Sequence, residues 1–267
     1  MHIAKVLEQN QPCFSFEFFP PKTEKASESL YEAMKELVPL KPGYVSVTYG
    51  AGGGTRERTH DLVVKVQRDT GLTVVCHLTT VGHTRDEVGR ILDRYAASGI
   101  ENIMALRGDP PKGSTDFQPV EDGFPYAADL VAFIKKHHPE MGIGVAGFPE
   151  GHHACPNRML EIDHLKHKVD QGADYICTQL FFDNRDFYDF CERCEMAGIH
   201  VPIIAGIMPV ASLQSMKRMS ELALGARFPA KLIRSLSRAE SDEYAQQVGI
   251  HWATEQVSDL VDNGVAG

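Results

Sequence analysis

The segment Cys13-Phe14-Ser15-Phe16-Glu17-Phe18-Phe19-Pro20-Pro21 places a carboxylate inside a strand of phenylalanines. Side chains alternate along a strand, so the phenylalanines at positions 14, 16 and 18 share one face, and Glu17 shares the other face with Ser15. Burying a charge is costly unless it is paired or has a task, which makes Glu17 a candidate functional residue. We expect desolvation among the aromatic rings to raise the pKa of its carboxyl, as suits a general acid near neutral pH.

Six more short runs of β-branched and aromatic residues follow, separated by helical patterns. Including the first run, the predicted strands are Phe14–Phe19, Tyr44–Tyr49, Thr73–Thr79, Asn102–Leu106, Gly142–Phe148, Tyr175–Phe181 and Pro202–Ile207. The predicted helices are Glu24–Leu37, Arg56–Arg68, Arg85–Ser98, Tyr126–His137, Asn157–Gln171, Asp186–Ala197, Leu213–Leu224 and Ser241–Asn263.

The strand starts lie about 30 residues apart, except for a longer gap between the fourth and the fifth. Such β–α alternation is typical of right-handed crossovers and a parallel sheet. No Gly-x-Gly-x-x-Gly turn follows the first strand, which favours a barrel over a doubly wound sheet. We predict an α/β fold, a (β/α)8 TIM-type barrel over residues 1–267 as one domain. Its eighth strand is missing from the pattern, since Gly264-Val265-Ala266-Gly267 follows the last predicted helix.

The composition is that of an ordinary soluble globular protein, with 43% hydrophobic and 24% charged residues among 267. The net charge of −9 argues against a nucleic-acid surface, which would be basic. The start of the chain does not resemble a signal peptide, and no apolar run approaches the roughly 20 residues of a membrane span. Six cysteines without a disulfide framework indicate a reducing cytoplasm.

Polar residues recur in the C-terminal halves of the predicted strands or just beyond them. They are Glu17, Thr48, His77, Arg107, Asp109 and Gln179. Each alone has a structural explanation, such as a satisfied core histidine, a backbone cap or an ion pair between Arg107 and Asp109. A parallel barrel gathers these strand ends at one mouth, where barrel active sites lie. We therefore predict a site there, with Arg107, His152 and Lys168 available to bind phosphates. No metal-ligand spacing is convincing.

A series of short motifs falls in order along about 250 residues. They are Phe16–Lys22, Ser46–Gly53, His77–Thr79, Leu106–Pro111, Tyr126-Ala127, Pro149-Glu150-x-His152, Thr178-Gln179-x-Phe181-Phe182-Asp183 and Ile207–Pro209. Together they resemble the methylenetetrahydrofolate reductase family, in its bacterial-type catalytic domain.

The resemblance implies a barrel that binds FAD and reduces 5,10-methylenetetrahydrofolate to 5-methyltetrahydrofolate with NADH or NADPH in a ping-pong cycle. It implies that Glu17 donates the proton that opens the imidazolidine ring, that flavin N5 delivers hydride, and that Asp109 tunes the flavin and stabilises the cation. It also implies a cytoplasmic homo-oligomer of one-carbon metabolism and methionine biosynthesis that has small-molecule substrates and no nucleic-acid or membrane partner.

The family's binding residues map onto two sets in this sequence. The implied FAD-binding residues are Thr48, Tyr49, Ala51, His77, Leu106, Arg107, Gly108, Asp109, Tyr126, Ala127, Ala146, Phe148, His152, Glu161, His164, His167 and Lys168. The implied substrate-binding residues are Glu17, Asp109, Gln179, Ser215 and Met219.

Three features depart from the family pattern. Met219 stands where an aromatic residue is common, with Ser215 in place of a nearby glutamine. His164 and His167 replace an asparagine and an arginine at the FAD phosphates, and the closing strand is absent. Two alternatives stay open: a non-catalytic paralogue or partner subunit that binds flavin or folate, and a metal-dependent barrel lyase or hydrolase that uses His77, Asp109 and His152.

Overall fold

The computed structural model describes residues 1–49, 53–109, 117–223 and 225–267, with residues 53–58 and Leu222 described by their backbone alone. In these ranges seven strands follow one another in a sheet in chain order. They are β1 (Ser15–Phe18), β2 (Tyr44–Val47), β3 (Val74–Thr79), β4 (Asn102–Leu106), β5 (Gly142–Gly147), β6 (Tyr175–Thr178) and β7 (Ile203–Ile204). The strand pairs run parallel, which confirms the predicted α/β alternation.

The helices agree with the predicted ones to within a few residues, and two of them were not predicted. They are α1 (Ile3–Gln9), α2 (Glu24–Leu37), α3 (Gly53–Thr70), α4 (Arg85–Ala97), α5 (Ala127–His137), α6 (Arg158–Asp170), α7 (Asn184–Met196), α8 (Leu213–Leu222), α9 (Ala230–Ser237) and α10 (Asp242–Asp262), with a 3-10 turn at Val38–Leu40. The unpredicted helices are α1 and α9, whose seven and eight residues are too few to show a clear apolar period. Among the described helices, none has both the length and the apolar character of a membrane span.

The chain forms two compact units, and the first contains residues 1–145 and 168–175. Its strand register places Glu17 of β1 opposite Ser46 of β2. The N-terminus is fixed to β4, because the Asn102 side chain accepts a hydrogen bond from Ile3 N–H at 2.7 Å and donates one to the Met1 carbonyl at 2.9 Å. This unit holds the C-terminal ends of β1 to β4, which carry the first half of the predicted site.

The second unit contains residues 146–167 and 176–267. Its core joins the loops after β6 and β7 to the last three helices, through a cluster of Phe182, Val210, Met219, Leu232, Leu236 and Ala245. Strand β7 is shorter than predicted. The Gly206 N–H donates to the side-chain hydroxyl oxygen of Thr178, at 2.9 Å, and so takes no part in the backbone ladder of the sheet. Ala205 N–H donates to the Gly267 carbonyl at 2.8 Å, so the C-terminal residue lies beside this segment without forming an eighth strand in the described residues. The prediction of a single domain stays a prediction.

Candidate active site

Three strands of the first unit bring polar side chains together around Glu17. Ser46 Oγ donates to Glu17 Oε2 at 3.2 Å, across the β1–β2 register. His77 Nε2 lies 3.2 Å from the same oxygen, at ion-pair distance but without the alignment of a hydrogen bond. His77 and Ser46 are buried, whereas the Glu17 side chain is 50% exposed. The carboxylate is therefore anchored on one side and open on the other.

The pKa of the Glu17 carboxyl differs from the sequence-based expectation. Burial raises the pKa of its carboxyl, but the contacts with His77 and the hydrogen bond from Ser46 outweigh it, so the pKa lies below its ordinary value. The expectation of a raised pKa was therefore wrong. The reason is that Glu17 is not isolated among phenylalanines, since its polar partners come from the neighbouring strands.

The end of β2 supplies the next predicted ligands. Thr48 N–H donates to the Phe18 carbonyl at 2.9 Å, which continues the ladder beyond the assigned strand. The Tyr49 hydroxyl lies 2.8 Å from His83 Nε2, and sequence reasoning missed this histidine because it sits in a turn without a motif. Ala51 lies outside the described residues.

The end of β4 forms a tight turn. Gly108 has a φ of +85°, and a Cβ there would approach Val81 Cγ2 to 2.9 Å, so only glycine fits. Leu106 and Arg107 are half-buried, and the Arg107 guanidinium lies 5.1 Å from the ring centroid of Phe117. Asp109 follows as an exposed carboxylate.

Helix α5 begins with two further predicted ligands. Tyr126 is 65% exposed and precedes Ala127, the first helical residue. The Asp129 carboxylate accepts the Tyr126 N–H at 3.1 Å. Lys168, near the end of α6, is half-buried and engaged in an interaction.

The loop after β5 in the second unit is held at each residue from Pro149 to His152. Arg193 Nη2 donates to the Pro149 carbonyl at 3.0 Å, and Glu150 accepts three hydrogen bonds from Arg227 at 2.9 to 3.0 Å. Buried Glu161 accepts the His152 N–H with both oxygens, at 2.9 and 3.0 Å. The predicted ligand Glu161 thus supports the loop backbone.

The side chain of His152 is oriented by this loop. Its ring packs edge-on against Phe148, with centroids 4.7 Å apart, and its Nδ1 accepts the Ala154 N–H at 3.1 Å. In the neutral ring the proton is therefore on Nε2. Ala146 is half-buried beside Phe148, and His164 and His167 are exposed on α6.

The predicted substrate-binding residues differ in their surroundings. Gln179 is half-buried, and its Oε1 accepts the Leu180 N–H at 2.8 Å, which leaves the amide NH2 as a donor. Ser215 caps α8, where its hydroxyl donates to the Ser212 carbonyl at 2.8 Å. Met219 is 4% exposed within the apolar core of the second unit. In this conformation its side chain has almost no surface for a ligand, which argues against the predicted contact.

A metal centre has no geometric support in the part of the chain that the structure describes. No three His, Cys, Asp or Glu side chains there lie close enough together to hold an ion.

These features define the class of the molecule as an α/β protein of the barrel type, with an anchored carboxylate at the ends of its first strands. The methylenetetrahydrofolate reductase family model matches residues 2–267, and the chain belongs to that family.

Sequence relatives agree with this assignment. Methylenetetrahydrofolate reductase (NADH) 1 of Arabidopsis thaliana is 39% identical over 98% of this chain, which spans 46% of that relative. The 5,10-methylenetetrahydrofolate reductases of Salmonella typhimurium and Escherichia coli are 39% identical over 96% of this chain, which spans 84% of each. The chain thus spans about half the length of the plant relative.

The solved structure is that of an uncharacterised Clostridium thermocellum protein that binds two copies of 5-methyl-5,6,7,8-tetrahydrofolic acid. It aligns over 98% of this chain and 87% of its own, with a TM-score of 0.70 at 16% identity. Likeness at that identity supports the fold alone, and it confirms the predicted fold class.

Proposed function

We propose that this chain reduces 5,10-methylenetetrahydrofolate to 5-methyltetrahydrofolate with electrons from NAD(P)H and with FAD as its cofactor. Membership of the family supports the reaction. The observation that carries the assignment to this chain is the Glu17 carboxylate, which Ser46 and His77 hold at the ends of three strands with half of its side chain open to a ligand. A cytoplasmic homo-oligomer that serves one-carbon metabolism and methionine synthesis remains the expectation.

The residues present fit FAD. Arg107 is a cationic donor for phosphate oxygens, and α5 begins at Ala127, where a helix N-terminus favours an anion. The family resemblance adds His152, whose neutral ring carries its proton on Nε2. Tyr49, within a family motif of the first unit, and Phe148, next to a family motif of the second unit, are half-buried aromatic side chains. When bound, FAD would accept hydride from the nicotinamide and pass it to the folate.

Glu17 would supply the acid. Opening of the imidazolidine ring requires a proton on the nitrogen that leaves, and a carboxylic acid within hydrogen-bond reach can deliver it. Ser46 and His77 fix the position of Glu17 Oε2 and leave the rest of the carboxyl directed toward the open side. A folate ring that covers this side would remove water from the carboxyl and strengthen the effect that raises its pKa.

The remaining polar groups have proposed roles in binding. The Gln179 amide NH2 is a donor for the carbonyl edge of a pterin. Asp109 is an exposed carboxylate next to the Gly108 turn, where it would stabilise the cationic intermediate of the folate.

The substitution Glu17→Gln tests the role of the acid. We expect loss of methylenetetrahydrofolate reduction, with reduction of the flavin by NADH or NADPH largely intact, because only the reduction of the folate needs the proton. Stopped-flow absorbance of the flavin separates the two half-reactions, and Glu28→Gln, at an exposed position of α2, is the control. Loss of both half-reactions alike would refute the role of Glu17. A wild-type protein that stays colourless with added FAD would refute the proposed function.

A further inference from the structure

The turn between β3 and α4, residues 80–83, contains two deeply buried polar side chains although no ligand is predicted in it. Thr80 and His83 are each 1% exposed. A buried polar side chain needs a partner, and these two find theirs at the ends of the neighbouring strands. The turn thereby contacts residues of the proposed FAD site on both sides.

Thr80 holds the end of β4. Its N–H donates to the carbonyls of Leu106 and Arg107, both at 3.1 Å, and its Oγ1 donates to the Arg107 carbonyl at 2.9 Å. The close fit of Gly108 against Val81 fixes the next residue. The backbone that carries Arg107 is therefore set by this turn.

His83 holds the end of β2. Its Nε2 lies 2.8 Å from the Tyr49 hydroxyl, and the two rings pack at 66° with centroids 5.8 Å apart. On the other side of the ring, Nδ1 lies 3.8 Å from a carboxylate oxygen of Glu87. Glu87 is itself fixed, because it accepts the Thr84 N–H at 2.9 Å in the capping box of α4. The nearby negative charge favours the proton on Nδ1, so that Nε2 accepts the hydrogen bond from Tyr49.

We propose that His83 is a positioning residue of the FAD site, which orients Tyr49 through this hydrogen bond while Thr80 of the same turn orients Arg107. The inference rests on the proposed function, since Tyr49 and Arg107 are assigned to FAD there. Without the bond, the Tyr49 ring loses a contact that restricts its rotamers, and ordering the ring adds to the cost of binding.

Two matched substitutions test the bond. In His83→Gln the amide lies near the position of Nε2 and keeps the contact with Tyr49, whereas in His83→Asn it lies near Nδ1 and loses the contact. Tyr49→Phe removes only the hydroxyl. Binding of FAD is measured by quenching of flavin fluorescence, and folding by circular dichroism and thermal melting. His60→Asn is the control, because His60 is a buried histidine of the same unit whose Nε2 bonds to Ser98, at the end of α4, at 3.1 Å.

The expected result is a Kd for FAD that rises about threefold to tenfold in His83→Asn and Tyr49→Phe, as for the loss of one hydrogen bond. His83→Gln should restore most of the affinity, and His60→Asn should bind FAD as the wild type does. The double variant Tyr49→Phe with His83→Asn should bind no worse than either single variant.

Three results would overturn the inference: an unchanged Kd in Tyr49→Phe, additive losses in the double variant, or equal losses in the glutamine and asparagine variants. If His83→Asn does not fold, the Kd values for FAD of Tyr49→Phe and His83→Gln still test the inference. A wild-type chain that binds no FAD would instead refute the proposed function on which the inference rests.

Discussion

Arg227 and Glu150 form a charge pair that should stabilise the loop after β5 in a pH-dependent way. The Glu150 side chain is 4% exposed, and that of Arg227 is 64% exposed. Arg227 donates to Glu150 from its backbone N–H and from Nε, and its Nη2 contacts Asp186. The substitution Arg227→Gln removes the guanidinium but keeps the backbone donor.

The expected loss of stability in Arg227→Gln follows from the exposure of the two side chains. Breaking a fully buried pair costs about 3–5 kcal/mol, and breaking an exposed one costs about 0–1 kcal/mol. Because one partner is exposed and the backbone N–H of residue 227 still donates to both Glu150 oxygens, we expect a loss of about 1–3 kcal/mol in the free energy of unfolding near pH 8.

The pH dependence has a definite sign. Burial raises the pKa of Glu150, and Arg227 opposes this effect without cancelling it. Loss of Arg227 therefore raises the pKa further. A carboxyl whose pKa is raised by folding contributes stability below its unfolded pKa, and this contribution is lost as the pH rises through the folded pKa. The cost of Arg227→Gln should thus be small near pH 5, where more of the Glu150 is protonated, and full near pH 8.

Urea denaturation at about pH 5 and about pH 8 measures the free energy of unfolding of Arg227→Gln and of the wild type at each pH. Glu150→Gln removes the charge that needs a partner, so Arg227→Gln should cost much less in that background. Arg185→Gln is the control, because the Arg185 side chain is 89% exposed in its pair with Asp183, and it should cost less than about 1 kcal/mol. Equal losses at both pH values, or additive losses with Glu150→Gln, would refute the reasoning.

Two further predictions concern the first unit. Ser46→Ala removes a hydrogen bond that lowers the pKa of Glu17, so this pKa should rise and the alkaline limb of the folate half-reaction should move to higher pH. Rates of flavin reoxidation by the folate, measured over a series of pH values, give the position of this limb. Ser29→Ala, on the exposed side of α2, is the control. An unchanged limb in Ser46→Ala would contradict the prediction. Gly144→Ala would place a Cβ 2.5 Å from Cε1 of fully buried Tyr175 and should cost about 1–3 kcal/mol of stability. Urea denaturation measures this loss, with Gly89→Ala as the control. At Gly89 the atom nearest to an added Cβ is 3.9 Å away, so that substitution should leave the stability unchanged or raise it. Equal changes in stability for the two substitutions would count against the packing argument.

Alternation and periodicity were enough to predict the seven strands and most of the helices, because each strand begins a new run of β-branched residues after a helix. Strand ends were less predictable. Gly206 leaves the ladder of β7 because the hydroxyl of Thr178 accepts its N–H, and that contact joins residues 28 positions apart. A local pattern does not contain such a contact.

The candidate site was predictable to the same degree. The pattern of polar strand ends predicted that Glu17 and His77 share one mouth, but the structure is needed to show that Ser46 and His77 both reach one oxygen of Glu17. The sign of the pKa shift depends on those partners, so the sequence alone gave the wrong sign. His83 contacts the predicted ligand Tyr49, and Arg227 binds Glu150 in the loop that carries the predicted ligand His152. Both lie in segments without motifs, so only the folded chain reveals these contacts.

The lowered pKa of Glu17 is compatible with its proposed role as an acid. Ser46 and His77 stabilise the carboxylate, while half of the Glu17 side chain is exposed to solvent water. A folate ring that displaces this water strengthens desolvation, the one effect that favours the protonated form. The proton would then be taken up as substrate binds, because that is when the balance between burial and the contacts with Ser46 and His77 shifts. In this order the acid is protonated only in the folate complex that uses the proton. Ser46 acts on the pKa of Glu17 alone, so Ser46→Ala should change the pH dependence of the folate half-reaction and leave the reduction of the flavin unchanged.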